Sequence, residues 1–88
     1  MKFKKIPPPF TTHKITLKAI QKWDGFRYNW TSPIYAINYL YNQERFAITI
    51  LKQRETSITI LIECSDSAYE HIKLDFVRKM GDKFIWKD

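Results

Sequence analysis

The chain has 88 residues, 44% of them hydrophobic and 16% aromatic, which allows one small domain with a modest core. Residues 1–30 hold seven cations against a single acid, whereas residues 31–88 hold eight of each sign, so the whole formal net charge of +6 lies in the first third. A lone cysteine excludes an internal disulfide, and no run approaches the ~18 apolar residues that a membrane span needs. We therefore expect a soluble cytoplasmic domain whose basic surface suits nucleic acid or an acidic protein partner.

Residues 1–12 are predicted to form a basic, proline-containing N-terminal arm of a single domain that covers residues 1–88. The lysines Lys2, Lys4 and Lys5 precede Pro7-Pro8-Pro9. Consecutive prolines favour an extended, semi-rigid polyproline segment.

Residues 14–30 are predicted to form a β-hairpin. Asp24-Gly25 stands between Trp23 and Phe26, and an Asp-Gly pair in this setting is a strong signal for a two-residue turn with positive φ. This turn pairs Trp23 with Phe26. A helix over residues 13–23 is the alternative, and it gives the element order α-β-β-β-α.

The predicted hairpin separates cations from aromatic residues, because side chains alternate between the two faces of a strand. One face carries Lys14, Thr16, Lys18, Lys22 and Arg27. The other face, which we expect to enter the core, carries Ile15, Leu17, Ala19, Trp23, Phe26, Tyr28 and Trp30.

Residues 33–41 fit either a strand or a helix. Ser32-Pro33 is a typical cap and first-turn pair of a helix. Strict alternation is typical of a strand, and aromatic residues favour strands. The alternating residues are Tyr35, Ile37, Tyr39 and Tyr41. We predict a strand from this alternation.

The last third contains clearer patterns. Residues 46–51 and 56–63 are rich in β-branched residues and predict two central antiparallel strands. A helix is predicted over residues 66–80, with a capping box at its start and Gly81 at its end. The capping box is formed by Ser67 and Glu70, and the apolar stripe of the helix by Tyr69, Ile72, Phe76 and Met80. Residues 83–87 alternate and fit a short edge strand.

Together these elements predict an α+β fold. Its sheet is largely antiparallel, with four to five strands, and the single C-terminal helix packs on one face of it.

The string from Lys22 to Arg27, KWDGFR, resembles the nucleotidyl-lysine motif of ATP-dependent DNA ligases. The resemblance implies that Lys22 attacks an α-phosphate and that Arg27 grips the sugar. Such enzymes also need later carboxylates for a metal and a further basic motif for the phosphates, and neither follows at suitable spacing. We therefore predict no enzyme and no catalytic residue.

Basic residues interleaved with aromatic residues predict a nucleic-acid-binding domain. The candidates for phosphate contact are Lys14, Lys18, Lys22, Arg27, Lys2, Lys4 and Lys5. The candidates for stacking on unpaired bases are Tyr28, Trp30 and Tyr35. His13, His71 and Cys64 lack ligand spacing, so we predict no metal and no other cofactor.

Two alternatives remain open at this point. The lysines are also typical of the solvated side of a strand, or of an edge strand that resists aggregation. The second functional hypothesis is a protein-interaction module, such as an inhibitor, adaptor or immunity-type protein, that uses an aromatic surface or a sheet edge.

Overall fold

A computed structural model describes residues 11–43 and 46–88. The predictions for Lys2, Lys4 and Lys5 lie outside these residues. Within them the elements follow in the order β1 (Thr11–Ala19), β2 (Lys22–Trp23), β3 (Tyr28–Asn29), α1 (Pro33–Tyr41), β4 (Ala47–Gln53), β5 (Ser57–Cys64), α2 (Asp66–Met80) and β6 (Phe84–Lys87).

Four strands form one antiparallel sheet in the order β4-β5-β1-β6. Because β1 and β4 are both antiparallel to β5, they run parallel to each other with β5 inserted between them, which is the split βαβ or ferredoxin-like arrangement. The strands β2 and β3 pair with each other in a separate two-stranded sheet. The predicted α+β class is confirmed. The topology assigns no function by itself.

The core lies between one face of the four-stranded sheet and the two helices. On this face β1 and β5 pair Ile15 with Ile60 and Leu17 with Ile58, and all four side chains are buried. The predicted stripe of α2 is buried against them, and it consists of Tyr69, Ile72, Phe76 and Met80. Both helices therefore cover the same face of the sheet, and no described helix covers the other face.

The bounds of α2 agree with the prediction, but its cap does not. Ser65 precedes the helix, and its Oγ accepts a hydrogen bond from the backbone N–H of Ala68 at 3.2 Å. The predicted cap, Ser67, lies inside the first turn. Gly81 ends the helix as predicted. A Cβ at Gly81 would lie 2.3 Å from the carbonyl oxygen of Val77, so this close approach requires glycine.

Residues 33–41 form α1, so the predicted strand is wrong. Ser32 caps the helix through a bond from the N–H of Ile34 to its Oγ at 3.3 Å. The buried residues follow helical spacing and are Pro33, Ala36, Ile37 and Leu40. Tyr35 and Tyr41 are half-exposed on the outer side. Tyr39 instead packs against the core beside Phe76. The alternation of tyrosines therefore does not correspond to one face of the element.

The N-terminal strand is confirmed against the helix alternative, but its predicted pairing is wrong. β1 pairs with β5 and β6, not with the residues that follow Gly25. The two predicted strands near residues 46–51 and 56–63 are present as β4 and β5, although β4 is an edge strand rather than a central one. β6 is the short edge strand expected at residues 83–87.

Cys64 is buried at the end of β5, and burial raises the pKa of its thiol. This environment is that of an inert packed cysteine rather than a reactive one. Across the two described ranges, neither helix is long and apolar enough to cross a membrane.

Candidate nucleic-acid interface

The uncovered face of the four-stranded sheet, called here the open face, carries the lysines of β1. Alternation along β1 directs Thr16 away from the core, together with Lys14 two residues before it and Lys18 two residues after it. Both lysines are exposed. Their Cα atoms lie about 13 Å apart, because they are four residues apart on one strand. The structure thus places two of the predicted site residues side by side on the open face.

Two further lysines lie on the same face, one on each side of Thr16. Lys52 of β4 pairs with Thr59, Thr59 pairs with Thr16, and Thr16 pairs with Lys87 of β6. This row crosses the whole sheet, so Lys52 and Lys87 are three strand spacings, or about 14 Å, apart at Cα. Lys14, Lys18, Lys52 and Lys87 are called the open-face lysines below, and they surround the threonine pair.

The open-face lysines have no acidic partner among the described residues. Cations near α2 do find acids, as Lys73 does with Asp88 at 2.9 Å and Arg78 with Asp75 at 3.5 Å. On the open face, the acid in the described part of the chain is Glu63, which pairs with Thr12 and Ala47 at one end of the sheet. Glu63 lies diagonally from Lys14 across the β1–β5 pair, but no ion pair joins them. With four lysines against one acid among the described residues, the face keeps a positive charge.

The threonine pair at the centre of the cluster supplies a neutral hydrogen-bond donor. The Oγ1 atoms of Thr16 and Thr59 lie 3.0 Å apart and share one hydrogen bond. Each hydroxyl group holds one hydrogen, so one O–H of the pair stays free to donate to an anion. Four ammonium groups around such a donor are suited to an oxyanion such as phosphate.

Sequence reasoning missed Lys52 and Lys87. Ile48 and Ile50 face the core side of β4, and strict alternation places Lys52 beside them. The register shifts between Ile50 and Lys52, and this β-bulge turns Lys52 to the open face. Lys87 could have been found from the sequence, because alternation along β6 places it on the opposite face from the buried Phe84.

The other predicted cations, Lys22 and Arg27, lie in residues 22–30, called here the ribbon, which comprise the small sheet of β2 and β3, the turn between them and Trp30. Its strands pair Lys22 with Asn29 and Trp23 with Tyr28. The turn is therefore centred on Gly25-Phe26, one residue later than the predicted Asp24-Gly25. Gly25 has the expected positive φ, 103°, at the first central position, where type II′ turns take glycine.

Asp24 organises this turn. Its Oδ1 accepts hydrogen bonds from the backbone N–H groups of Phe26 at 2.8 Å and Arg27 at 3.0 Å, and its Oδ2 accepts one from Nδ2 of Asn29 at 2.6 Å. The N–H of Arg27, followed by that of Phe26 and the amide of Asn29, lowers the pKa of the Asp24 carboxyl group. The string that resembles the ligase motif thus forms the turn of the ribbon.

The aromatic residues of the ribbon are exposed, which corrects the prediction that they enter the core. Solvent reaches 60% of Trp23, 90% of Phe26, 56% of Tyr28 and 37% of Trp30. The rings of Trp23 and Tyr28 meet edge to face, with centroids 5.2 Å apart. The stacking candidates Tyr28 and Trp30 therefore lie together, whereas the third candidate, Tyr35, is exposed on α1.

A shallow depression on the ribbon combines charge with aromatic surface. Its volume is about 280 Å³, and it is lined by Arg27, Tyr28, Asn29 and Trp30. In the described part of the chain, no three His, Cys, Asp or Glu side chains are grouped to hold a metal ion.

Comparisons with known proteins add no assignment, since neither a protein-family model, nor a curated protein, nor a solved structure matches the chain.

Proposed function

We propose that the protein is a small non-catalytic domain that binds nucleic acid, with phosphates held by the open-face lysines. The observation that carries this proposal is the cluster of four exposed, unneutralised lysines around the hydroxyl pair of Thr16 and Thr59. Nucleic acids present a regular series of negative phosphate groups, and lysine contacts to them supply most of the sequence-independent affinity.

The position of Lys18 argues against a purely protective role for this lysine. Lysine guards the unpaired backbone of edge strands, and this explanation suffices for Lys52 and Lys87 on β4 and β6. From Thr16 to Ala19, β1 has a partner strand on each side, so Lys18 has no edge to protect. Like charges placed close together destabilise a fold, and an anionic ligand removes this cost.

The remaining cations extend the proposed surface beyond the sheet. Lys22 and Arg27 supply charge on the ribbon, and Lys2, Lys4 and Lys5 belong to the proposal through their charge alone. The buried free thiol of Cys64 suits a reducing compartment such as the cytoplasm.

The test is a salt titration of binding. Fluorescence anisotropy with labelled random-sequence single- and double-stranded oligonucleotides, at ~50 mM salt and above, gives the slope of log K against log salt. Lys18→Gln removes one proposed phosphate contact and should reduce the slope by about 0.7 to 0.9 for every sequence. Lys79→Gln is the matched control, since it removes the same charge from the exposed side of α2.

Two outcomes would overturn the proposal. One is a wild-type protein that binds no oligonucleotide at ~50 mM salt, where even non-specific electrostatic binding is measurable. The other is an equal loss of affinity in Lys18→Gln and Lys79→Gln, which would show that net charge alone is responsible. The first result would favour the protein-interaction module, with an acidic protein as its partner, and the second would remove the open-face lysines from any specific role in binding.

A further inference from the structure

The exposed aromatic residues of the ribbon require an explanation that the phosphate contacts do not give. Three large rings, those of Trp23, Phe26 and Tyr28, each expose more than half of their surface. Single exposed apolar residues are ordinary, but a contiguous group of them marks a contact surface. A two-stranded sheet is also only marginally stable by itself. The ribbon therefore presents apolar surface that folding of the chain leaves uncovered.

The chemistry around these rings favours a nucleobase over an apolar protein surface. The ribbon holds Lys22 and Arg27, and no acid among the described residues forms an ion pair with either of them. The carboxylate of Asp24 is occupied by three N–H donors of the turn. The ribbon thus holds two cations and one carboxylate and keeps a net positive charge. Flat rings beside this charge match a ligand that combines flat apolar faces with negative charge.

The depression on the ribbon has the groups that such a ligand needs. The aromatic residues Tyr28 and Trp30 line it together with Arg27, whose guanidinium group is of a type that binds phosphate and also stacks on flat rings. Asn29 lines it as well, and an asparagine side chain whose Nδ2 is used, as here by Asp24, keeps a carbonyl oxygen that can accept from the exocyclic amine of a base. Base faces are accessible only in unpaired strands, because a duplex hides them in its stack.

We propose that the ribbon stacks unpaired bases, so that the preferred ligand is single-stranded nucleic acid. This inference rests on the proposed function and specifies its ligand class. The open-face lysines hold the phosphates, whereas Trp23, Tyr28 and Trp30 hold the bases. The open face itself offers no aromatic side chain among the residues described, so stacking falls to the ribbon.

The experiment compares three probes of equal length and charge per strand: an oligothymidylate, an abasic strand, and a random-sequence duplex. Trp23→Ala should weaken binding of oligothymidylate about 5- to 150-fold, the range expected for loss of one stacked base. Its salt slope and its affinity for the abasic strand should stay at wild-type values, because no charge is removed. Trp23→Phe keeps a ring and should restore most of the affinity.

Tyr41→Ala is the matched control, since Tyr41 is a half-exposed aromatic residue on α1, outside the ribbon. It should leave all three affinities unchanged. Circular dichroism of each variant should match the wild type, because these side chains lie outside the core.

The outcomes separate this inference from the proposed function. If Trp23→Ala binds oligothymidylate as the wild type does while Lys18→Gln still weakens binding, the stacking role is refuted and the phosphate contacts stand. Equal wild-type affinity for the oligothymidylate and the abasic strand would refute it as well. If the wild type binds none of the three probes at ~50 mM salt, the proposed function fails, and the stacking role fails with it.

Discussion

Phe76 is the side chain on which the core depends most, and Phe76→Ala is the sharpest test of the fold. The ring is fully buried, and its centroid lies 5.3 Å from that of Trp86, 6.1 Å from that of Tyr39 and 6.2 Å from that of Phe84. Phe-to-Ala changes in cores cost about 3–5 kcal/mol in total, lost ring contacts included. Because three aromatic rings lose their partner at once, we expect a cost in the upper part of this range, about 4–5 kcal/mol.

This loss is large against the total stability of the domain. At about 0.05–0.15 kcal/mol per residue, 88 residues give a free energy of unfolding of about 4–13 kcal/mol. Phe76→Ala should therefore remove a third of the stability or more. Each kcal/mol shifts Tm by about 4–8 °C in a domain of this size, so Tm should fall by at least about 15 °C.

Urea denaturation followed by circular dichroism measures the difference directly. Leu74→Ala is the control, because Leu74 lies on the same helix but is 64% exposed, and its change should stay within about 0.5 kcal/mol. If Phe76→Ala costs no more than Leu74→Ala, the stripe of α2 is not the core and the packing described above is wrong. A Phe76→Ala protein already unfolded without urea would agree with the expectation.

Two further predictions concern the caps and the pH response. Ser65→Ala should destabilise the domain by about 1 kcal/mol, because Ser65 caps α2, whereas Ser67→Ala should cost clearly less; equal losses in urea denaturation would contradict the cap assignment. The hydrogen bond from Tyr39, above all, lowers the pKa of Asp75 below its ordinary value of 3.8. The ionised carboxylate therefore adds stability above the unfolded-state pKa, and this contribution is lost as pH falls through the folded-state pKa. The advantage of wild type over Asp75→Asn should accordingly shrink on acidification, and a pH-independent difference would count against the Tyr39 contact.

Much of the fold could be predicted from the sequence, because in β5 and α2 the spacing of apolar residues matches the spacing of buried residues. Alternate residues of β5 are buried, and the apolar stripe of α2 recurs at helical spacing. Both patterns are visible in the sequence because each element packs only one face against the core. α1 misled the same reasoning, because its three tyrosines do not share one face. Tyr35 and Tyr41 are half-exposed, whereas Tyr39 packs against the core beside Phe76. The pair Ser32-Pro33 indicates the helix that the structure contains, whereas the strand propensity of the aromatic residues favours the wrong element.

The candidate site was only half predictable, for two physical reasons. Alternation placed Lys14 and Lys18 correctly, because β1 is regular over its whole length. The bulge before Lys52 breaks that rule, and a single sequence gives no sign of where a bulge falls. The sequence predicts that the aromatic residues near Gly25 enter the core, because large rings are usually buried. No local sequence pattern shows that the ribbon forms a sheet separate from the four-stranded sheet.

The central position of β1 has a consequence for how the chain folds. β1 meets β5 through pairs that run from Lys18 with Ser57 to Thr11 with Cys64, and it meets β6 from Ala19 with Phe84 to Thr16 with Lys87. These partners are 39 to 53 and 65 to 71 positions apart along the chain. The chain must lose the conformational entropy of closing these long loops before the strand contacts can form. Such topologies fold more slowly than helical bundles of equal size. β1, which carries Lys14 and Lys18, therefore completes its strand pairing only when the last strand has joined the sheet.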